Sequence, residues 1–263
     1  MSTMDRYPER IVCLAAEIPG ILAELGALDR VVGISAYTTY PQEALTIPKV
    51  SGFQHGSVAR ILAQKPDVVI VTSMVQQKLA AGLAERGASI VHLNPHRLED
   101  LFNNVQLLGA IVGEAQRALA LVNHLYAEIE AVRRVASESL RRRPRVYFEE
   151  WMDPLIAGVG WVSDLIEAAG GTDVFRERSL AGRQARDRTV TREEWIAAQP
   201  DIIVASWCGK PFQPEQMLAR PQAHTVPAVQ TGRVYEMDAT ILECGIRLVD
   251  RLHDLVRIIR EAV

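Results

Sequence analysis

The sequence predicts an α/β protein with two lobes, each a mainly parallel sheet flanked by helices. The first observation is an internal repeat, because residues 61–73 read ILAQKPDVVIVTS and residues 195–207 read WIAAQPDIIVASW. In both segments a helix ends at Pro-Asp and a short apolar run follows. A strand that is apolar on both faces is typical of a parallel sheet covered by helices on each side. One such segment in each half of the chain predicts two related lobes.

The second observation is a long helical pattern between the two halves. From Gly113 to Leu140 there is no proline and no further glycine. Apolar residues recur there every three or four positions, at Leu119, Val122, Tyr126, Ile129, Val132 and Ala136. This spacing predicts one continuous helix of about 40 Å over 112–140. The predicted division is therefore an N-terminal lobe at 1–111, a spine helix at 112–141 and a C-terminal lobe at 142–263.

The remaining elements follow from short apolar runs and their end signals. Ser57 is a predicted helix N-cap, and Gly87 is a predicted helix stop. The predicted strands are 10–14, 31–35, 68–71, 89–93, 145–148, 201–205 and 234–237. The predicted helices besides the spine are 19–25, 76–86, 162–169 and 247–262. Strands and helices alternate in both halves, as a parallel sheet requires.

Composition excludes several classes of protein. The chain has 48% hydrophobic residues, 23% charged residues and a formal net charge of −3, so nucleic acid is not its main partner. The first ten residues, MSTMDRYPER, are not a signal peptide, and no later apolar run could span a membrane. Three cysteines far apart in sequence indicate free thiols. We therefore expect a cytoplasmic monomer, or a periplasmic one if a leader precedes this sequence.

Five phrases of the sequence, in order, carry a resemblance to a known family. They are RIVCLAAEIPGILAELGALDRVVGIS, YPQEALTIPKVSGF, ILAQKPDVVIV, PRVYFEEW with IAGVGWVSDLIEAAGGTDVF, and TREEWIAAQPDIIVASW. The chain resembles the helical-spine substrate-binding proteins of ABC importers for cobalamin, heme and siderophores, and is most similar to their cobalamin-binding branch. The resemblance implies a ligand held between two lobes, no catalysis, no required cofactor, and cobalamin, another tetrapyrrole or an iron chelate as ligand.

Four aromatic residues are the predicted ligand contacts. In open α/β sheets, ligands bind where the carboxyl ends of strands lead into loops. Tyr37 and Phe53 match positions where cobalamin-binding relatives place aromatic rings against the corrin. Trp151 and Trp207 follow strands of the other lobe. Stiff, flat side chains suit a flat macrocycle, although core packing is the alternative for each of the four.

Carboxylates are the second group of predicted ligand contacts. Glu17 falls where the cobalamin binder has a small residue, and Glu243 falls near a position where it has an arginine. Glu149 and Glu150 lie at another predicted strand end. We therefore select Glu17, Glu150 and Glu243 as ligand-binding residues. Together these acids predict an electronegative site that disfavours anionic ligands and favours a smaller or cationic ligand, or a metal chelate.

Docking on a permease is implied by the resemblance. Family members carry an acidic residue in each lobe that meets arginines of the membrane permease. The acid of the second lobe is Glu193, whereas Ala59 occupies the position of the first. Because one ion pair is lost, we expect no productive docking, so a cytoplasmic carrier or sensor is an alternative role.

Metal binding and catalysis have weaker support in the sequence. His55, His92 and His96 lie near predicted strand ends, but HLNPH is not a known zinc or iron signature. The chain contains no G-x-S-x-G, P-loop, GxGxxG or HExxH. We therefore predict neither catalytic residues nor metal ligands. An enzyme acting on a tetrapyrrole, such as a metal chelatase, is the alternative function.

Overall fold

A computed structural model describes residues 7–53, 55–139 and 142–262. The chain forms two compact units. The first unit contains the residues up to Pro95 together with Asp100–His124, and the second contains His96–Glu99 together with the chain from Leu125 onward.

The first unit is built on a parallel sheet of five strands. The strands are β1 (Ile11–Cys13), β2 (Val31–Ser35), β3 (Lys49–Ser51), β4 (Val68–Thr72) and β5 (Ile90–Leu93). The helices are α1 (Ile18–Glu24), α2 (Val58–Leu62), α3 (Gln77–Ala84) and α4 (Glu99–Val112). The sheet order is β3-β2-β1-β4-β5, and every pairing is parallel. All five residues of β4 are buried, as its apolar sequence predicts.

The strand order of the first unit reverses once. From β1 the chain adds β2 and β3 on one side, then returns to add β4 and β5 on the other side. The loops that follow β1 and β4 therefore diverge from one point at the carboxyl edge of the sheet. Such a switch point is where open α/β sheets form a ligand-binding crevice.

The long helix is α5, which spans Ala115–Ser139 without a break. This confirms the continuous helix predicted over 112–140. It begins slightly later than predicted because Gly113 adopts a left-handed conformation, with φ of 78°, and ends α4. The boundary between the two units falls after His124, inside α5. The finer division at 111 and 141 stays a prediction.

The second unit combines parallel and antiparallel strands. Its strands are β6 (Arg145–Met152), β7 (Leu155–Ala157), β8 (Thr172–Asp173), β9 (Thr189–Val190), β10 (Ile202–Ala205) and β11 (Val234–Glu236). Its helices are α6 (Gly160–Ala168), α7 (Arg176–Ala181), α8 (Arg192–Ala197), α9 (Pro214–Leu218), α10 (Pro227–Gln230) and α11 (Leu248–Glu261). The order is β11-β10-β6-β7-β9, and β8 also pairs with β6.

A hairpin distinguishes this second sheet from the first. The strand predicted at 145–148 continues to Met152, and β7 then pairs with it in the antiparallel direction. Trp151 pairs with Ile156 across this hairpin, so Trp151 is a strand residue rather than a loop residue. The prediction stopped too early because acidic residues at 149 and 150 interrupt the apolar run.

The internal repeat is confirmed by the positions of its two strands. β4 lies between β1 and β5, and β10 lies between β6 and β11, with all four pairings parallel. The residue before each proline has a positive φ, 50° at Lys65 and 43° at Gln199. Each helix therefore ends in a left-handed residue before the chain enters the strand.

The aspartate after each proline has the same role in both units. Asp67 accepts a hydrogen bond from the backbone N–H of Arg10 at 2.9 Å, and Asp201 accepts one from that of Arg145 at 2.8 Å. The Arg10 guanidinium binds the carbonyl of Gln64 after α2, and that of Arg145 binds the corresponding carbonyl after α8. Pro-Asp thus anchors the first strand of each sheet.

Among the described residues, no helix has the length and apolar character needed to cross a lipid bilayer.

Candidate functional site

The carboxyl edge of the first sheet brings together three predicted ligand residues. Glu17 follows β1, Tyr37 follows β2 and Phe53 follows β3, which are adjacent parallel strands. Because parallel strands end at the same edge, all three belong to one side of the sheet. Their role as ligand contacts stays a prediction.

Tyr37 and Phe53 form an exposed aromatic pair. Their ring centroids are 6.2 Å apart and the ring planes make an angle of 73°, which is an edge-to-face arrangement. Tyr37 is 51% exposed and Phe53 is 39% exposed. Large rings that remain this accessible at strand ends offer apolar surface to a ligand.

Glu17 lies immediately before α1 and is partly exposed. Burial of its carboxyl group raises its pKa above the ordinary value, whereas its own backbone N–H and the Thr72 side chain act in the opposite direction. The neutral acid is therefore favoured more strongly in the folded protein than in the unfolded chain. In this form the group can donate as well as accept a hydrogen bond.

We expect Glu17→Gln to stabilise the protein most at neutral pH. A carboxyl whose folded pKa is raised binds more protons in the folded state, so stability falls as pH rises from its ordinary pKa of 4.5 through the folded value. A glutamine at position 17 does not ionise, so the substitution removes this loss of stability. The gain in unfolding free energy, measured by urea titration between pH 4 and 8, is expected to be smallest near pH 4. A gain that does not vary with pH would contradict the raised pKa.

Gln76 is a buried polar residue at this edge that was not selected from the sequence, because its position suggested only the start of a helix. Its side chain is fully buried. The amide oxygen accepts a hydrogen bond from Thr72 N at 2.9 Å, and Nε2 donates to the carbonyls of Leu14 at 2.9 Å and Phe53 at 3.0 Å. One side chain thus links the loops after β1, β3 and β4.

Glu150 is neutralised in the second unit. Its two carboxylate oxygens accept hydrogen bonds from Arg188 at 2.5 and 3.0 Å, and both side chains are largely buried. Arg188 also donates to the carbonyl of Ala157. The expectation that Glu150 adds net negative charge at this edge is therefore wrong, because its charge is balanced by a bidentate arginine.

Glu149 is neutralised in the same way. It is completely buried inside β6, where Arg220 donates two hydrogen bonds at 2.6 and 2.8 Å. Trp207 Nε1 donates to it at 3.0 Å and the Tyr147 hydroxyl at 3.2 Å. Burial, reinforced by the Glu149 charge, raises the pKa of Tyr147 well above its usual range. The expectation that Glu149 adds acid to the site is therefore also wrong.

The two tryptophans predicted for the second unit have different environments. Trp207 is 3% exposed, belongs to the buried core and packs edge-on against Phe212 at 5.0 Å. The structure therefore places it in the core, which is the alternative that the sequence left open. Trp151 is partly exposed, and the Lys210 ammonium lies 4.8 Å from its ring centroid. Its accessible area remains available to a ligand.

The last predicted ligand residue and the two docking positions are at least partly exposed. Glu243 is partly exposed, in the turn after a short 3₁₀ helix over Ala239–Leu242. Glu193 is exposed in the first turn of α8. The backbone N–H of Glu193 lowers the pKa of its carboxyl group below the ordinary value. The Arg192 guanidinium, 3.0 Å from the carboxylate, lowers this pKa further. Ala59 is exposed on α2.

Two of the three histidines considered as metal ligands contact backbone carbonyls. His92 Nε2 lies 2.9 Å from the carbonyl of Ser73, and His96 Nε2 lies 2.7 Å from that of Leu180. These contacts make each nitrogen a donor, so it cannot at the same time ligate a metal. Within residues 7–53, 55–139 and 142–262, no group of three or more His, Cys, Asp or Glu side chains is placed to hold a metal ion.

Comparisons with known proteins give one consistent answer. A family model described as "Periplasmic binding protein" matches residues 11–241. A vitamin B12-binding protein of Vibrio parahaemolyticus is 28% identical over 78% of this chain and 73% of the relative. An uncharacterized ABC transporter substrate-binding lipoprotein of Bacillus subtilis is 25% identical over 96% of this chain and 80% of the relative. The crystallised periplasmic heme-binding protein of Roseiflexus, in its apo form, has a TM-score of 0.82 and 26% identity, covering 97% of this chain and 98% of the other.

Proposed function

The chain belongs to the periplasmic-binding-protein family, and from this premise we propose that it binds a cobalamin-like, tetrapyrrole or metal-chelate ligand, either as an ABC-transporter-type binding component or as a cytoplasmic carrier or sensor. The family consists of binding proteins, which supports capture of a ligand without turnover. The relatives named for vitamin B12 and heme support a tetrapyrrole-like ligand. The observation that carries the proposal is the exposed pair of Tyr37 and Phe53 at the carboxyl edge of the first sheet.

A flat macrocycle fits the chemistry of this pair. Aromatic rings bury a large apolar area with few rotatable bonds, so they gain contact with a planar ligand at low entropic cost. Because the two rings are edge-to-face, the pair presents one ring face and one ring edge. This combination suits a ligand that has a planar surface and a substituted rim.

The charges at the two sheet edges do not exclude a corrinoid that carries a phosphate. Arg188 balances Glu150, Arg220 balances Glu149, and the neutral form of Glu17 is favoured by burial. The acids therefore repel an anionic ligand less than the sequence predicts. An amide-rich corrinoid can accept a hydrogen bond from a protonated carboxyl at position 17.

Titration with cyanocobalamin and hemin tests the proposal. We expect Tyr37→Ala and Phe53→Ala each to weaken binding of the preferred ligand by about 1–3 kcal/mol, the scale of a lost aromatic contact. Calorimetry on the purified protein measures this directly. Tyr126→Ala is the matched control, because Tyr126 is 55% exposed but lies on α5 and not at a strand end. Equal affinity in all four proteins for both ligands would overturn the assignment of the aromatic pair.

The same experiment separates binding from catalysis. A metal chelatase or another enzyme acting on the tetrapyrrole would release a chemically altered product during incubation. Recovery of unchanged ligand from the complex, checked by mass spectrometry, supports a binding protein. Metal insertion or removal would support the alternative function instead.

Location and docking form the finer part of the proposal. Cys13 and Cys244 are buried and Cys208 is exposed, and all three are free thiols. Free thiols persist in a reducing compartment, which supports the predicted cytoplasmic location. Ala59 also leaves the first unit without the docking acid that the resemblance implies, so only Glu193 matches that pair and we expect no productive docking on a permease.

Fractionation of cells that express the native gene tests the predicted location. We expect the protein in the cytoplasmic fraction and not in the periplasmic or membrane fractions. A cytoplasmic enzyme followed in the same fractions controls for lysis. Recovery outside the cytoplasmic membrane would contradict the prediction and agree with the periplasmic and lipoprotein relatives.

A further inference from the structure

We propose that Gln76 is the positioning residue of the ligand site in the first unit, a role that rests on the function proposed above. Its carboxamide fixes the spacing of three loops at the switch point of the sheet. One loop leads to Glu17, one carries Phe53, and the third follows β4.

The first step of the argument is the divergence of β1 and β4. Their backbone ladder ends with the hydrogen bond from Leu14 N to Ile70 O, at 2.8 Å. In a regular parallel ladder the next bond would join Thr72 N to Leu14 O. Instead, Thr72 N donates to the oxygen of the Gln76 amide and its nitrogen donates to Leu14 O, both at 2.9 Å. The side-chain amide therefore takes the place of a peptide group between the separating strands.

The second step is the link to the aromatic pair. The same Nε2 also donates to the carbonyl of Phe53 at 3.0 Å. Both amide N–H groups and the amide oxygen are then used, in a side chain with no exposed area. A buried amide with all its groups satisfied specifies one arrangement, because any shift of a loop leaves a polar atom unpaired. The backbone of Phe53 is thus fixed relative to the loop that leads to Glu17.

The third step explains how the side chain reaches this position. Ser73 has φ of 49° and ψ of 167°, which non-glycine residues rarely adopt. Ser73 N donates to Leu93 O at 2.8 Å, and His92 Nε2 donates to Ser73 O at 2.9 Å. These bonds hold an unfavourable turn that leads into the short 3₁₀ helix ending at Gln76. Strained backbone held by its surroundings is concentrated at functional sites.

The consequence is that the unliganded site is pre-organised. A ligand that contacts Phe53 and Tyr37 does not have to order their loops first, so less of the contact free energy is lost to conformational entropy. Gln76 itself makes its contacts with the backbone of the protein.

The test compares Gln76→Met with a control of similar stability loss. Leu108→Ala removes a fully buried side chain from α4 in the same unit, and α4 supplies none of these loops. Phe53 is replaced by 4-fluorophenylalanine, and its fluorine resonance is recorded without ligand in both backgrounds. We expect the resonance to shift or broaden in Gln76→Met only. Affinity for cyanocobalamin should fall about tenfold relative to Leu108→Ala. An unchanged resonance and equal affinities would overturn the proposal.

A second variant keeps the experiment decisive if Gln76→Met does not fold. Gln76→Glu retains the acceptor for Thr72 N, and only its protonated form can donate to Leu14 O or Phe53 O. Its resonance should approach that of the wild type as pH falls, and a resonance independent of pH would count against the role. If the wild-type protein binds neither cyanocobalamin nor hemin, the proposed ligand is wrong, while the fluorine measurement still decides the role of Gln76.

Discussion

Replacing Arg220 by methionine is expected to lower the free energy of unfolding by about 3–5 kcal/mol, because it leaves a buried carboxylate without its cation. Glu149 is completely buried and Arg220 is only 12% exposed in its side chain. The Arg220 guanidinium also lies 5.5 Å from the centre of the Trp195 ring, so packing is lost together with charge. Urea unfolding at pH 7 followed by circular dichroism measures the loss.

Two further proteins make this measurement specific. Arg186→Met removes an exposed arginine whose nearest acid, Asp187, is 3.7 Å away, and should change stability by less than about 0.5 kcal/mol. Adding Glu149→Gln to Arg220→Met removes the stranded charge and should recover part of the loss. If the double variant is no more stable than Arg220→Met, the cost does not arise from the buried charge.

Trp207→Ala is the second change with a large expected effect, and that effect is on folding. Trp207 lies in the core of the second unit, so truncation leaves a cavity and should cost about 3–5 kcal/mol of unfolding free energy. It also removes one of the donors to Glu149. The folded variant should bind the ligand with nearly unchanged affinity. The sequence, in contrast, predicted Trp207 to be a ligand contact.

Trp151→Ala is the matched control for this prediction. Trp151 is partly exposed and contacts Lys210, so its truncation should cost clearly less in stability. Stability is measured by urea unfolding, and affinity by titration well below the unfolding transition. If Trp207→Ala has wild-type stability but binds the ligand poorly, then Trp207 is a ligand contact and not a core residue.

The paired acids change the chemical character of the second unit. In the sequence, Glu149 and Glu150 are two consecutive acidic residues that follow the predicted strand at 145–148. In the structure they are two ion pairs, each with an arginine from a distant segment. This arrangement holds the middle of β6, which is one strand of the hairpin, and it leaves Trp151 and Lys210 as accessible groups there. Ligand selection at this edge therefore depends less on negative charge than the sequence indicates.

Local sequence by itself determined the elements and their class. Apolar runs after Pro-Asp predicted β4 and β10, because a strand buried on both faces must be apolar throughout. The spacing of apolar residues predicted α5, and Ser57 caps α2 with a hydrogen bond from Arg60 N at 3.3 Å. Tyr37 follows the predicted strand at 31–35, whereas Phe53 was selected on the family resemblance, because β3 was not predicted. These signals act over a few residues, so they can be read without knowing the fold.

Only the tertiary structure decided which polar and aromatic side chains are free to meet a ligand. The arginines that neutralise Glu150 and Glu149 come from 38 and 71 positions away in sequence. The burial of Trp207 depends on the same packing, and the three partners of Gln76 become neighbours only when β1, β3 and β4 join one sheet. Charge balance and burial are properties of long-range contacts, and no periodicity or cap in the sequence records them.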